Sequence, residues 1–480
     1  MIENVTVKKS VMYVASECNP FVGTGGLADV AGSLPKALQK TGEYDVRVVL
    51  PLYKTTDEKL RRQFRFIGNI NVPLGWRNQY CGVFSYFSEG VLYYFIDNEY
   101  YFKRDKLYGE YDDGERFAFF SKACLEIMPL IDFYPHILHC NDWQTALAPI
   151  YLKTLFYGKY KYKDIRAVFT IHNIEYQGKY GEECLGDLFG LPDYTKNMLE
   201  FDGCLNLMKG AMEVSDRVTT VSPTYAREIL DAYFAHGLES VTNRNAFKLS
   251  GILNGIDEDY YNPKTDGKIF ANYTKTSPAK KAENKKGLQE MLGLPVKDYA
   301  PVISMISRLV KHKGLDLVTC VIEELLHEDV QFVVLGTGDA VYESFFRYLA
   351  ERYSGKMRFI AAFNKDLAAK IYAGSDIFLM PSKQEPCGLS QMIACRYGTI
   401  PVVRKTGGLA DSIIPVTESN GIGYVFDNFN AHEMLFALKK AADDYKNKAL
   451  WQKYVKRAMG ADFSWASSAL EYEKLYDEIL

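Results

Sequence analysis

The sequence lacks the features of a membrane-spanning, secreted or metal-binding protein. No apolar run approaches the roughly 18 residues needed to span a bilayer, and no apolar core with a small-residue cleavage site follows the start of the chain. The cysteines total 9, an odd number, and none forms a Cys-x-x-Cys pair, so neither a disulfide framework nor a structural zinc site is predicted. We expect a cytoplasmic protein, or a plastid protein if a transit peptide has been removed.

A charge excess of either sign is also missing. Lys and Arg total 57 against 60 Asp and Glu, which gives a formal charge of −3 and predicts no general binding to nucleic acid or to anionic membranes. A hydrophobic content of 48% excludes disorder and favours an ordinary globular protein. At 480 residues, and with about 150 residues per domain as a guide, the chain has room for two or three domains.

Short apolar runs that stop at polar or glycine-rich turns alternate with segments of helical periodicity. The runs are continuous rather than alternating, which is typical of parallel strands covered on both faces. Apolar residues recur at helical spacing from Leu27 to Leu38, directly after the first run. The pattern predicts the layered α/β class. The predicted strands are Val11–Ala15, Val46–Leu50, Ile137–Cys140, Ala167–Ile171, Val218–Val221, Val302–Ile306, Phe332–Leu335, Ile377–Met380 and Ile400–Val403.

Two stretches interrupt this pattern. Asp257–Leu288 is polar and rich in Lys, and we interpret it as the crossing between two α/β domains of similar size. The Tyr-rich stretch Tyr80–Phe120 is long enough to be an insertion with hairpins and a loop around Tyr108–Glu115.

One hexapeptide, Thr-Gly-Gly-Leu-Ala-Asp, occurs twice, at Thr24–Asp29 and at Thr406–Asp411. Each copy follows an apolar strand and opens a predicted helix. Glycines at such a turn let backbone N–H groups approach an anion. Two domains that carry this turn at corresponding edges indicate a pair facing each other across a cleft, and the alternative is chance recurrence of a tight turn.

Polar residues that follow a parallel strand are candidates for ligand binding, because ligands bind beyond the carboxyl ends of such strands. Arg308 and Lys313 share one loop after Val302–Ile306 and can converge on one diphosphate, unless they are a solvated basic loop. Glu385 follows Ile377–Met380, before a helix whose N–H groups we expect to be free from about Cys387 onward. There its carboxylate can hold a sugar hydroxyl beside a phosphate, and the alternative role is helix capping.

His172 ends the strand Ala167–Ile171, and Asp142 ends the strand Ile137–Cys140. We place both in the same predicted cleft, while a structural hydrogen-bonding role for His172 stays open. No His-Glu-x-x-His, P-loop, Gly-x-Ser-x-Gly or metal-ligand cluster occurs, so no dedicated metal site is predicted.

Taken in order, these segments resemble the bacterial glycogen synthases and plant starch synthases of glycosyltransferase family 5, which are retaining glucosyltransferases of the GT-B architecture. The resemblance covers nearly the whole chain. The segments that carry it are Pro20-Phe21, Thr24–Val30, His139–Trp143, Thr170–Asn173, Gly251–Asp257, Ser307–Asp316, Glu385–Leu389, Lys405–Asp411 and Asp462–Trp465.

The resemblance implies two Rossmann-like domains that face a central cleft. Residues 1–258 would form the N-terminal, acceptor-side domain, residues 259–460 the C-terminal domain that binds the nucleotide sugar, and residues 461–480 a helix that returns to the first domain. The oligomeric state is not implied.

The resemblance also implies transfer of glucose from ADP-glucose to the non-reducing end of an α-1,4-glucan, with retention and without a metal or other cofactor. The glucan would be glycogen, starch or a maltooligosaccharide. Two alternatives stay open: a synthase that prefers UDP-glucose, and a glucan-binding protein with weakened catalysis.

Residue by residue, the resemblance makes Arg308 and Lys313 the diphosphate-binding pair. Glu385 would orient the donor glucose without a covalent adduct, and His172 would lie beside the anomeric centre. The remaining implied residues are Gly25, Gly26, Asn254, Phe363, Cys387, Gly388, Leu389, Thr406, Gly407 and Gly408 for donor binding, and Asp29, Asp142 and Asn173 for the sugar and acceptor region.

One residue departs from the family pattern. Relatives typically have Lys-Thr-Gly-Gly-Leu at the first glycine turn, whereas this chain has Gly23 at the lysine position and keeps the lysine only in the second copy, as Lys405. The missing cation would have contacted the diphosphate or the acceptor. Because Arg308 and Lys313 remain, we expect an active enzyme.

Overall fold

Apolar runs that end at polar turns form two mainly parallel sheets in the computed structural model, which describes residues 8–480. The sheets belong to separate units of the chain. The first unit holds the described residues up to Val221 together with Ala226–Asn254 and Trp465–Leu480, and the second holds Ser222–Tyr225 and Gly255–Ser464. The first seven residues of the predicted domain 1–258 lie outside the described residues.

The first unit is built on a nine-stranded sheet. Its strand order is β12-β11-β7-β6-β1-β2-β5-β4-β3, with parallel pairing from β12 to β5 and antiparallel pairing of β4 with β5 and of β3 with β4. A separate, small antiparallel sheet has the order β8-β10-β9. These strands are β1 (Lys9–Val14), β2 (Tyr44–Pro51), β3 (Arg65–Leu74), β4 (Arg77–Ser88), β5 (Val91–Asp97), β6 (Ile137–Asn141), β7 (Arg166–Ile171), β8 (Lys179–Tyr180), β9 (Glu200–Phe201), β10 (Cys204–Asn206), β11 (Arg217–Thr220) and β12 (Leu249–Gly251).

Helices connect the parallel strands. The first helix buries Leu27, Val30, Leu34 and Leu38 on one face, as the helical spacing predicts. The helices that precede β12 are α1 (Gly26–Thr41), α2 (Glu58–Arg61), α3 (Glu99–Phe102), α4 (Asp113–Glu126), α5 (Leu147–Thr154), α6 (Cys184–Asp187), α7 (Lys196–Leu199), α8 (Leu207–Val214), α9 (Pro223–Glu228) and α10 (Glu239–Arg244).

The second unit contains a fully parallel six-stranded sheet with the order β15-β14-β13-β16-β17-β18. The strands that follow β13 in sequence, β14 and β15, lie on one side of it, whereas β16, β17 and β18 lie on the other. The loops after β13 and β16 therefore lie at a topological switch point, where ligands of open α/β sheets bind. The strands are β13 (Val302–Ile306), β14 (Gln331–Leu335), β15 (Met357–Ile360), β16 (Ile377–Met380), β17 (Ile400–Arg404) and β18 (Tyr424–Phe426).

The first helix of the second unit precedes β13, and the others lie between these strands and after them. They are α11 (Pro278–Met291), α12 (Leu315–His327), α13 (Ala340–Arg352), α14 (Lys365–Gly374), α15 (Ser390–Arg396), α16 (Gly407–Ser412), α17 (Ala431–Lys446) and α18 (Lys448–Ala458), and the chain ends with α19 (Trp465–Asp477).

All nine predicted strands are confirmed, with ends that differ by at most two residues. Continuous apolar runs are buried on both faces, and Val302–Ile306 and Ile377–Met380 form with the predicted bounds. The Tyr-rich insertion does contain a hairpin, β4–β5, but the antiparallel strands already begin at Arg65 and the predicted loop ends early, where α4 begins at Asp113.

The Lys-rich stretch predicted as a crossing is in part a helix of the second unit, α11. Its Lys281 ammonium is buried and donates to the carbonyl oxygens of Ala373 and Ser375, both at 2.9 Å, and burial lowers its pKa to about 7. Lys285 forms a buried ion pair with Asp376 at 2.8 Å. Composition alone did not predict this helix, because it could not show that backbone carbonyls and a carboxylate satisfy these lysines.

The last helix, α19, packs against α1 in the first unit. The Tyr476 hydroxyl hydrogen-bonds to Nδ1 of the buried His139 at 2.6 Å, and Nε2 of that ring hydrogen-bonds to the Thr170 hydroxyl at 2.6 Å. His139 therefore ties the helix to the centre of the nine-stranded sheet. No helix within residues 8–480 is long and apolar enough to cross a membrane.

Replacing Tyr476 by Phe removes one hydroxyl from this buried network and leaves a ring nitrogen of His139 unsatisfied. We expect Tyr476→Phe to lower the free energy of unfolding by roughly 1–3 kcal/mol. Urea titration followed by circular dichroism measures it, with Tyr160→Phe as control because Tyr160 is 82% exposed. Equal effects of the two substitutions would contradict a role of the network in holding α19.

Candidate active site

The loops after β13 and β16 cross each other in the second unit. Gly314 has a φ of +77°, and a Cβ added there would lie 2.0 Å from the carbonyl oxygen of Pro381. The Lys383 N–H donates to the carbonyl oxygen of His312 at 2.8 Å. Only glycine meets both the conformation and the close approach, so the backbone holds the two loops at a fixed separation.

This crossing brings together two of the predicted residues, Lys313 and Glu385. The Lys313 ammonium lies 2.7 and 3.0 Å from the two carboxylate oxygens of Glu385, and the Ser382 hydroxyl donates to Glu385 Oε2 at 2.8 Å. Glu385 is only 7% exposed. The carboxylate is thus held by charge-assisted hydrogen bonds in one orientation, and its negative charge is balanced by the adjacent ammonium.

Arg308 lies in the same loop as Lys313 but in a different environment. Its side chain is exposed, and within residues 8–480 its guanidinium makes no hydrogen bond or ion pair. All five N–H donors of the guanidinium therefore remain available to an anionic ligand.

The second glycine turn packs against the loop that carries Glu385. Gly407 has a φ of +43°, and a Cβ added there would lie 2.0 Å from the Glu385 carbonyl oxygen. The Gly408 N–H donates to the carbonyl oxygens of Glu385 and Pro386, both at 3.1 Å. The preceding Thr406 is fully buried at the start of α16. These glycines serve close packing, and the N–H of Gly408 is directed to protein rather than to a ligand.

The residues that follow Glu385 do not begin a helix where the sequence predicted. Gly388 has a φ of +72°, outside the helical region, so α15 begins at Ser390 rather than near Cys387. Cys387 is buried and Leu389 is half-buried. Phe363 lies apart from this loop in sequence, after β15, and its ring is 86% exposed.

In the first unit, Asp142 connects the ends of β6 and β7. Its carboxylate accepts hydrogen bonds from the backbone N–H of His172 at 2.7 Å and of Asn173 at 3.4 Å. Burial raises the pKa of Asp142 to about 7. Its backbone has φ +57° and ψ 177°, a sparsely populated conformation for a residue other than glycine, and such strain is concentrated at functional sites.

His172 is oriented by Asn141, a residue that sequence reasoning missed. The imidazole Nε2–H donates to Asn141 Oδ1 at 2.9 Å, and the Tyr13 hydroxyl donates to the same oxygen at 3.0 Å. Burial lowers the pKa of His172 to about 3, so the ring is neutral and Nδ1 is an acceptor. Asn141 directly precedes Asp142 at the strand end, and this position was the available signal.

Asn254 follows β12 in the same unit and is 4% exposed. Among the described residues its Oδ1 accepts no hydrogen bond. A buried acceptor without a donor is costly, and a ligand hydroxyl would relieve that cost.

The first glycine turn differs physically from the second. Gly25 is extended, with φ −158°, and a Cβ added at Gly26 would meet no atom within 4 Å. Neither position needs glycine for the protein's own packing, and Gly26 is open to close approach of a ligand. Asp29, at the end of the repeat, accepts a hydrogen bond from Asn19 Nδ2 at 2.6 Å.

Gly23 is explained by its contact with α1. A Cβ added at Gly23 would lie 2.4 Å from the Cβ of Ala28. The lysine expected from the family pattern therefore does not fit this turn unless the turn or helix moves.

Family models match both units of the chain. Starch synthase catalytic domain matches residues 10–244, and Glycosyl transferases group 1 matches residues 293–458. With two parallel-sheet units and polar residues at the strand ends, the chain is a two-domain glycosyltransferase of the GT-B class.

Relatives specify the family. The chain is 48% identical over 474 residues to the glycogen synthase of Anoxybacillus flavithermus, covering 98% of each protein, and 50% identical over 475 residues to that of Bacillus cereus strain Q1, covering 98% of this chain and 100% of the relative. The chain belongs to the glycogen synthase and starch synthase family, and it is a glucosyltransferase.

Two solved structures have folds similar to that of this chain. The catalytic domain of starch synthase IV from Arabidopsis thaliana, bound to ADP and acarbose, is 35% identical with a TM-score of 0.90, and the match covers 98% of this chain and 99% of that one. A sucrose-phosphate synthase from Thermosynechococcus elongatus, 17% identical with a TM-score of 0.61 and similar coverage, shares the fold.

The two copies of the hexapeptide yield opposite predictions for the same substitution. A Cβ at Gly408 would lie 2.2 Å from the Cys387 carbonyl oxygen, whereas a Cβ at Gly26 meets nothing. We expect Gly408→Ala to destabilise the protein by about 2 kcal/mol or more. Gly26→Ala should be neutral or stabilising by up to about 1 kcal/mol. Thermal unfolding measures both, and equal losses would show that the two turns are packed alike.

Proposed function

We propose that the protein elongates an α-1,4-glucan by transferring glucose from ADP-glucose to the non-reducing 4-hydroxyl, with retention of configuration. The arrangement of Arg308, Lys313 and Glu385 at the strand ends of the second unit carries this proposal. The ADP named for the related starch synthase IV structure supports an adenine nucleotide as the donor.

Arg308 and Lys313 are proposed to bind the diphosphate of the donor. Arg308 offers an unengaged guanidinium, which fits two phosphate oxygens through its fork, and Lys313 supplies a fixed point charge. As the bond from glucose C1 to the diphosphate oxygen breaks, negative charge grows on the departing group. One well-placed interaction of this kind is worth about 3–4 kcal/mol in the transition state. We propose that these cations act without a metal.

Glu385 is proposed to orient the donor glucose rather than to attack it. Both of its carboxylate oxygens already accept hydrogen bonds, from Lys313 and from Ser382. A carboxylate whose charge is balanced in this way is a poor nucleophile, but its remaining lone pairs can accept hydrogen bonds from sugar hydroxyls. The bond to C1 would then form from the acceptor hydroxyl oxygen, whose proton leaves with the diphosphate.

The first unit is proposed to bind sugar hydroxyls. The neutral His172 Nδ1 and the unpartnered Asn254 Oδ1 are acceptors, and Asp142 and Asn173 follow the same strand ends. Sugars present several hydroxyl donors, which match these acceptors. The proposed role of His172 is to contact the sugar beside the anomeric centre.

We propose that the nucleobase of the donor stacks on Phe363. An exposed aromatic ring stacks on any base, since every base has a π-face. Stacking alone therefore permits UDP-glucose as a second donor, and we propose ADP-glucose as the preferred one.

Incubation with ADP-glucose or UDP-glucose and glycogen, followed by nucleotide release and chain extension, tests the function. We expect turnover with ADP-glucose to be faster. Arg308→Ala and Lys313→Ala should each lower kcat more than about tenfold because each removes charge from the leaving-group site. Lys311→Ala is the matched control, an exposed lysine of the same loop, and should retain activity.

The outcomes separate the alternatives. Faster turnover with UDP-glucose would reverse the donor preference. Glucan binding without glucose incorporation from either donor would identify the protein as a weakened, glucan-binding member of the family. Equal rates for Arg308→Ala, Lys313→Ala and Lys311→Ala would remove the two proposed cations from the transition state. An α-linkage in the product, read by proton NMR, tests retention.

A further inference from the structure

The first glycine turn is held from within by Glu17, a residue that follows β1 and that the sequence did not single out. Glu17 is 4% exposed. Its Oε2 accepts the Thr24 N–H at 2.6 Å and the Thr24 hydroxyl at 2.9 Å, and the nearby Gly25 N–H lowers the pKa of the carboxylate. The carboxylate therefore occupies the N–H groups that open the turn.

The position of the Glu17 carboxylate determines which N–H groups of the turn a ligand can reach. With Thr24 and Gly25 directed to Glu17, the groups left at the start of α1 are those of Gly26 and Leu27, which have no partner in the part of the chain that the structure describes. Apart from Gly26 itself, its two chain neighbours and the adjacent backbone of α1, no described atom lies within 4 Å of where a Gly26 Cβ would be. The inner side of the turn is filled by Glu17, and the outer side is open.

Keeping a carboxylate at this position is electrostatically unfavourable. Burial raises the pKa of Glu17, and the nearby carboxylate of Asp29 raises it further. The charge of Glu17 in turn raises the pKa of Asp142. A buried charge among like charges costs free energy unless the hydrogen bonds it makes are needed, and here all of these hydrogen bonds go to the glycine turn.

We infer that Glu17 is a positioning residue for the nucleotide sugar: by holding Thr24 and Gly25, it fixes the turn so that the open face at Gly26 receives the anionic part of the donor. This inference rests on the proposed function. It assigns Glu17 an effect on donor binding, and none on the glucan.

Glu17→Gln tests it, because the amide nitrogen cannot accept a hydrogen bond from a backbone N–H. We expect the KM for ADP-glucose and the dissociation constant of ADP, from titration calorimetry, to rise at least about tenfold, since the turn loses its charged acceptor. The KM for glycogen should not change. Glu99→Gln, at an exposed carboxylate paired with Lys103, is the control.

A second pair of variants keeps the test decisive if Glu17→Gln does not fold. Thr24 is exposed, so Thr24→Val removes only its hydroxyl, and we expect a rise of about threefold in the dissociation constant of ADP. Thr24→Ser restores the hydroxyl and should restore the affinity.

Three results would overturn the inference. They are an unchanged dissociation constant of ADP in Glu17→Gln, parallel rises in KM for donor and glucan, and equal behaviour of Thr24→Val and Thr24→Ser. The proposed function fails separately, if the unmodified protein transfers no glucose while the calorimetry still responds to Glu17.

Discussion

The ion pair between Lys313 and Glu385 is the interaction on which the second-unit site depends. It forms because two loops cross at the switch point of a parallel sheet, and the crossing is permitted by Gly314 on one side and Gly407 on the other. The pair sets the chemistry as well as the geometry. A carboxylate whose charge is balanced by lysine is suited to orienting a sugar. The Lys313 ammonium, in turn, is held in one position by that carboxylate. Among the described residues, the Arg308 guanidinium has no such partner, and it can adjust its position to a ligand.

The first unit uses neutral acceptors rather than paired charges. His172 is kept uncharged by burial and is oriented through Asn141, and Asn254 keeps a buried oxygen without a donor. The strained backbone of Asp142 places its carboxylate within hydrogen-bonding distance of two N–H groups that follow β7. These acceptors favour hydroxyl groups over anions, and the anionic part of the donor is assigned instead to the N–H groups at the first glycine turn. The two units thus differ in the chemistry they offer, as expected for an enzyme that handles a charged donor and an uncharged polymer.

Much of this organisation could be predicted from the sequence. Continuous apolar runs predicted the parallel strands because both faces of those strands are buried, and the strand-end rule selected Arg308, Lys313, Glu385, Asp142 and His172. What could not be predicted depends on contacts between distant residues. The Lys-rich stretch was interpreted only as a crossing between domains, because the carbonyl partners of Lys281 lie about 90 residues away along the chain. The two glycine repeats looked equivalent, although only the second is packed against another loop. Glu17 carried no signal, since its role depends on the chain turning back at Thr24.

Calorimetric titration with ADP in the presence of EDTA tests the central claim, that protein cations at the strand ends of the second unit hold the diphosphate. We expect binding that is unaffected by the chelator and weakened at least about tenfold in Arg308→Ala. Binding that requires a divalent cation, or that is unchanged in Arg308→Ala, would contradict it.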